Sequence, residues 1–176
     1  MNMKWNEIPK FKEFDMTNPI EIGFVSYVQF IKDEIEKYNL QMNPDFQRGH
    51  VWTEEQQIAY VEFLLRGGKS AKVIYFNKPS WQNSSIINDY DDFVCVDGLQ
   101  RLTAVMRFLN NEIKVLGTYY KDFEDKLPMG IDLIFNVNNL KTEKEVLQWY
   151  VDMNAGGTPH TNEEIERVKR MIEELE

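Results

Sequence analysis

The chain is poor in the residues that cross-link, bind metals or break elements: one cysteine, two histidines, six prolines and nine glycines. A single thiol, Cys95, cannot form an internal disulfide, which fits a reducing compartment such as the cytoplasm. In its apolar setting the thiol reads as a small buried hydrophobe. Neither His50 nor His160 has a second histidine or cysteine at ligand spacing, which argues against zinc. No apolar run approaches the ~18 residues of a membrane span, so no membrane association is expected. The opening residues, Met1-Asn2-Met3-Lys4-Trp5, do not read as a secretory signal. A Gly-x-x-x-x-Gly-Lys-Ser/Thr run is missing, which excludes the P-loop class of NTPases. Basic charge is short too: 20 Lys and Arg stand against 29 Asp and Glu, a net charge of −9. Non-specific DNA affinity comes from phosphate neutralisation, so the balance weighs against autonomous DNA binding.

What is present is an ordinary globular composition, 43% hydrophobic and 13% aromatic over 176 residues, enough for one core. Val25, Val28, Ile31 and Ile35 recur at helical spacing through Tyr38. Thr53-Glu54-Glu55-Gln56 is a capping box opening a helix through Ile58, Val61, Phe63, Leu64 and Leu65, which Gly67-Gly68 ends. Val73–Phe76 reads as a strand, Lys78–Asp92 as a polar loop, and the run at Phe93–Val96 as a short buried strand. A helix follows over Leu99–Asn110, with Leu99, Leu102, Val105, Met106 and Leu109 toward the core. A short strand is expected at Ile113–Leu116 and a longer one at Ile131–Val137. Capping boxes at Thr142 and Thr161 start the last two helices. The predicted class is α+β, a small mixed sheet with more helix than strand.

Three segments could carry chemistry. The first is the strand–turn–helix junction Asp97-Gly98-Leu99-Gln100-Arg101. A helix entered through glycine offers free backbone N–H groups at its positive end, where an anion such as phosphate can bind. The plain structural alternative has Asp97 capping those amides and Arg101 in solvent. It leaves Arg101 without a reason, because a first-turn arginine opposes the helix dipole unless an anion sits beside it. The second segment is Asn43–Trp52, where Phe46 and Trp52 can anchor a loop and Gln47 and Arg48 project from it. Arg48 there is either simply exposed or a second oxyanion clamp. The third is Asn154–Thr158, read either as a helix end with a glycine turn or as a backbone approach to a ligand. The acids Asp89, Asp91 and Asp92 could hold Mg²⁺, although solvated loop acids explain them as well.

Taken together, Phe46-Gln47-Arg48 with Val51-Trp52, then Val96-Asp97-Gly98-Leu99-Gln100-Arg101-Leu102-Thr103, then an Asn-x-Gly-Gly turn, resemble one family. It is the N-terminal domain of GmrSD-type type IV restriction enzymes, whose hallmark is an Asp-Gly-Gln-Gln-Arg motif within the ParB/sulfiredoxin-like superfamily. The resemblance runs from about Asn43 to Glu164 and implies a single ParB/sulfiredoxin-like domain over residues 1–176. It implies a nucleotide-binding module, with weak NTP hydrolysis and Mg²⁺ left open, in a phage or bacterial defence or counter-defence setting. Carried over by residue, it assigns Asp97, Gln100 and Arg101 to catalysis and Asp97 to the metal. Gln47, Arg48, Gly98, Arg101, Thr103, Asn154 and Gly157 would hold the nucleotide. Leu99 replaces the motif's first glutamine, which puts hydrolysis in doubt while leaving binding possible. Family members are commonly fused to a nuclease, and no nuclease segment is expected after the third motif, so a separate protein partner, or nucleic acid through it, is implied. A catalytically silent interaction module is the alternative, and DNA nicking in a ParB-like manner is disfavoured by the charge of −9.

Overall fold

The computed structural model describes residues 20–47, 49, 51–81, 89–123, 132–154 and 162–175. The order is β1 (Ile20–Gly23), α1 (Phe24–Tyr38), α2 (Glu54–Leu65), β2 (Val73–Asn77), β3 (Val94–Asp97), α3 (Leu99–Leu109), β4 (Asp132–Asn138), α4 (Glu143–Asn154) and α5 (Asn162–Glu174). The strands form one mixed sheet in the order β1-β4-β2-β3. β2 runs parallel to β4, while β1–β4 and β2–β3 are antiparallel. The α+β class therefore holds, with the small sheet flanked by helices on both faces.

Period-two alternation distributes the side chains between two cores. Ile74 and Phe76 of β2, Cys95 of β3 and Leu133, Phe135 and Val137 of β4 pack with α1, α2 and α3. Tyr27, Ile31, Val61, Leu64, Leu102, Val105 and Phe108 are the helical side of that layer. Val94 and Val96, pointing the other way from β3, meet Val146, Leu147, Trp149, Tyr150 and Val151 of α4 and Val168 of α5. β3 is thus buried on both faces, as its unbroken apolar run requires.

Local signals account for most boundaries. Thr53 Oγ1 accepts the Gln56 amide at 3.3 Å and Gln56 Oε1 accepts the Thr53 amide at 2.9 Å, so the first capping box is complete. Thr142 accepts the Glu145 amide at 3.2 Å, and the Glu145 carboxylate accepts the Lys141 amide at 3.0 Å, so this cap reaches one residue further back. Thr161 lies outside the described residues. Gly67, at φ +85°, ends α2.

Two expectations change. Ile113–Leu116 is no strand; it is a turn with a single bridge between Val115 and Thr118, closed by paired backbone bonds of 3.0 Å. Its apolar residues are explained by burial of Ile113 and Val115 alone. Sequence reading also passed over β1, four residues against the start of α1 that pair with β4. In the core face of α3, Ala104 and Phe108 are fully buried, whereas Met106 and Leu109 are only partly covered.

Candidate functional site

β3 is an edge strand, and an uncovered edge would leave peptide groups unpaired. The Asn43–Trp52 loop and its approach cover it. The Gln41 amide donates to Phe93 O at 2.8 Å, and the Cys95 amide donates to Gln41 O at 2.9 Å. Further along, Gln47 Nε2 donates to Cys95 O at 2.7 Å and Val96 O at 3.0 Å. The Phe46 ring is buried edge-on against Tyr150 of α4, with centroids 5.3 Å apart. The loop that sequence reading singled out is therefore bound along the strand leading into Asp97-Gly98.

The junction itself is dictated by close packing. Gly98 sits at φ +108°, in the left-handed region, and a Cβ there would lie 2.7 Å from Ile74 Cδ1. Only glycine meets both demands. α3 begins at Leu99 with Gly98 as its N-cap, no side chain caps it, and no acid lies in its first turn. α2, by contrast, has a complete cap and two first-turn acids, Glu54 and Glu55. Among the described residues, therefore, no side-chain cap meets the first-turn N–H groups of α3 at the positive end of that helix.

Asp97 is not the cap. Its Oδ2 pairs with Arg101 Nη2 one turn along. Arg101 is not in solvent either: its side chain is 17% exposed, and Nη1 donates to Val73 O at 2.8 Å and Ala71 O at 3.4 Å. The β2–β3 ladder begins only at Tyr75, so Val73 O has no β3 partner and the guanidinium takes that place. The anion that a first-turn arginine requires is thus supplied from within the chain. Tyr60 donates its hydroxyl to the same Ala71 O at 2.7 Å, and Lys72 pairs with Asp132 at 2.6 Å.

Gln100 is fully engaged. Oε1 accepts the amides of Val51 (2.9 Å) and Trp52 (3.1 Å), and Nε2 donates to Gly49 O at 2.6 Å. It joins α3 to the second half of the loop as Gln47 joins β3 to the first. Thr103 Oγ1 donates back to Leu99 O at 2.8 Å, and Leu99 is buried. Asn154 ends α4 and donates Nδ2 to Tyr150 O at 2.7 Å, while the Gly156-Gly157 turn expected after it lies outside the described residues. Arg48, His50, Gly157 and His160 lie outside the described residues.

Sequence reading missed Arg167 of α5. Its Nη1 donates to Asp45 O at 2.8 Å, and its Nη2 to Phe46 O at 2.8 Å and Gln47 O at 3.4 Å. No local pattern marks it, because its partners lie some 120 positions away. Cys95 is fully buried, and burial, with the Asp97 charge behind it, pushes its thiol well above the ordinary range despite Arg101. It is no nucleophile at neutral pH. Partial burial works to raise the Asp91 pKa, but the Lys78 ammonium at 2.8 Å and a Ser80 hydrogen bond bring it below the usual carboxylate value. Asp91 is therefore a paired loop acid. Among the described residues no three His, Cys, Asp or Glu side chains cluster as a metal site, and no helix is long and apolar enough to cross a membrane.

The family model described as GmrSD restriction endonuclease, N-terminal domain, matches residues 29–132, which run from α1 to the start of β4 and include the loop, Gly98 and α3. No curated protein and no solved structure matches the chain.

Proposed function

Because the chain belongs to the GmrSD restriction endonuclease N-terminal domain family, we infer that it works in a restriction-related setting as a nucleotide-binding module acting with a protein partner. The observation that carries this reading is the uncapped start of α3 at Gly98, with Gly49, Val51 and Trp52 held beside it by Gln100. The first-turn amides of α3 would hold a phosphate group of the nucleotide. Arg48, next in sequence to Gln47, would add a charge-assisted clamp. Gln47 and Gln100 hold the loop, while Arg101, its charge paired with Asp97, buttresses β2 beneath the same helix end. Mg²⁺, which binds through one or two carboxylates and the phosphates themselves, would be met by Asp97. Any hydrolysis would be weak, since Leu99 takes the place of the motif's first glutamine and Gln100 is engaged with the loop.

A second reading, a catalytically silent interaction module, draws support from one observation: the motif's polar groups at Asp97, Gln100 and Arg101 already serve the fold. Calorimetric titration of ATP, GTP, CTP and UTP, each with and without Mg²⁺, separates the two. Arg48→Ala is the cleaner control, because Arg101→Ala also removes the bonds to Val73 O and Asp97. Binding by the wild type that Arg48→Ala measurably weakens supports the nucleotide module. No heat with any nucleotide moves the assignment to the silent module.

A further inference from the structure

α4 and α5 lie wholly beyond the stretch that defines the family match, yet a side chain from each, Tyr150 and Arg167, reaches the motif loop. α5 packs by Ile165, Val168, Met171 and Ile172 into the second core, which leaves Arg167 beside the loop backbone. Its guanidinium gathers three successive carbonyl oxygens, those of Asp45, Phe46 and Gln47. Three carbonyls turned toward one point repel each other, and a planar fork with five N–H donors suits them in a way that a lysine ammonium does not. Phe46, between two of them, is clamped from its ring side by Tyr150 of α4. Gln47 then reaches across to β3.

We propose that Arg167 is a positioning residue for the candidate site: by collecting these carbonyls it sets the backbone that carries Gln47 and leads on to Arg48 in sequence, and so makes the α4–α5 pair a working part of that site. The effect on ligand rests on the nucleotide reading above; the effect on the loop does not. Arg167 touches no ligand in this scheme and acts through the residues that follow Asp45.

The test is a double-mutant cycle on the full chain, with hydrogen exchange alongside it. Arg167→Met, Arg167→Lys, Arg48→Ala and the Arg167→Met/Arg48→Ala pair are titrated with ATP, GTP, CTP and UTP plus Mg²⁺, and each is unfolded in urea to show that it folds. The expected result is a loss of about tenfold in affinity for Arg167→Met, equivalent to about 1.4 kcal/mol. Arg167→Lys should fail to restore it, and the double variant should bind no more weakly than Arg48→Ala alone. Amides over 45–52 should exchange faster in Arg167→Met while those of α3 and β4 stay as in the wild type. Wild-type affinity in Arg167→Met, or losses that simply multiply in the double variant, would overturn the proposal. If the wild type binds no nucleotide, the nucleotide reading fails, and exchange alone decides: selective loosening of 45–52 supports the positioning role, and unchanged exchange overturns it.

Discussion

Asp97 and Arg101 close on each other across the entry to α3, the first at the end of β3 and the second in the opening turn of the helix. The pair explains why an arginine stands against the helix dipole there, and it holds the guanidinium where Val73 O needs a donor. Replacing Asp97 with Asn should lower stability by about 1 kcal/mol, a modest figure because the carboxylate is partly exposed and screened by solvent. Urea unfolding measures it. Arg101→Lys should cost more, since one ammonium cannot serve Asp97, Ala71 O and Val73 O together. Equal stability of Arg101→Lys and wild type would refute the buttressing role.

Gly98 offers a sharper test. Gly98→Ala meets a left-handed backbone and Ile74 Cδ1 at 2.7 Å at once. The two penalties together should destabilise the chain by about 3 kcal/mol. Ile74→Val removes Cδ1 but leaves Cγ2 at 3.0 Å, so adding it should recover part of the loss. No recovery would mean that the φ of Gly98, not the close approach, sets the requirement.

Gln100→Ala removes three hydrogen bonds to the loop and leaves the Val51 and Trp52 amides and Gly49 O without that partner. A loss of about 2 kcal/mol is expected, together with a change in tryptophan fluorescence as Trp52 loosens from Tyr60. Gln100→Glu keeps both acceptor bonds but sets a carboxylate oxygen against Gly49 O. Its stability should therefore recover as the pH falls and the acid protonates. A pH-independent deficit would contradict the assigned orientation of the amide.

Glu34 predicts a second pH effect. It is 7% exposed, and its Oε2 has no hydrogen-bond partner among the described residues. Burial, and then the neighbouring Asp33 charge, raise its pKa, with Lys37 opposing. For a carboxyl raised in the folded state, the stabilising contribution is complete below the unfolded value of about 4.3 and is lost as pH rises through the folded value. Glu34→Gln should accordingly raise Tm at pH 7 by about 2–4 °C and give no gain near pH 4. Thermal melts across that range decide it. A gain that is the same at both pH values would assign the effect to shape rather than charge.

How much of this was legible beforehand varies by residue. The Thr53–Gln56 box, the stop at Gly67 and the start of α3 at Leu99 were readable because each signal acts over a few residues of chain. β1 was not, because four residues beside a strong helical pattern become a strand only when β4 is there to pair with them. Ile113–Leu116 misled for the reverse reason: its apolar spacing is real, but no strand lies alongside to pair with it.

The sequence by itself determined the starts of α2, α3 and α4, the glycine at the β3–α3 junction, the loop beside it and the family to which both belong. These follow from local backbone preference and from motif order, neither of which needs a folded neighbour. The tertiary structure alone decided what the motif side chains do. Arg101 turns inward because sheet assembly leaves Val73 O unpaired, and Gln100 faces the loop because the edge of β3 has drawn that loop alongside. Arg167 acquires its place because α5 packs over β3 from the far end of the chain. Hydrogen-bond partners are chosen by which donors and acceptors the packed elements leave unsatisfied, and no run of sequence contains that information.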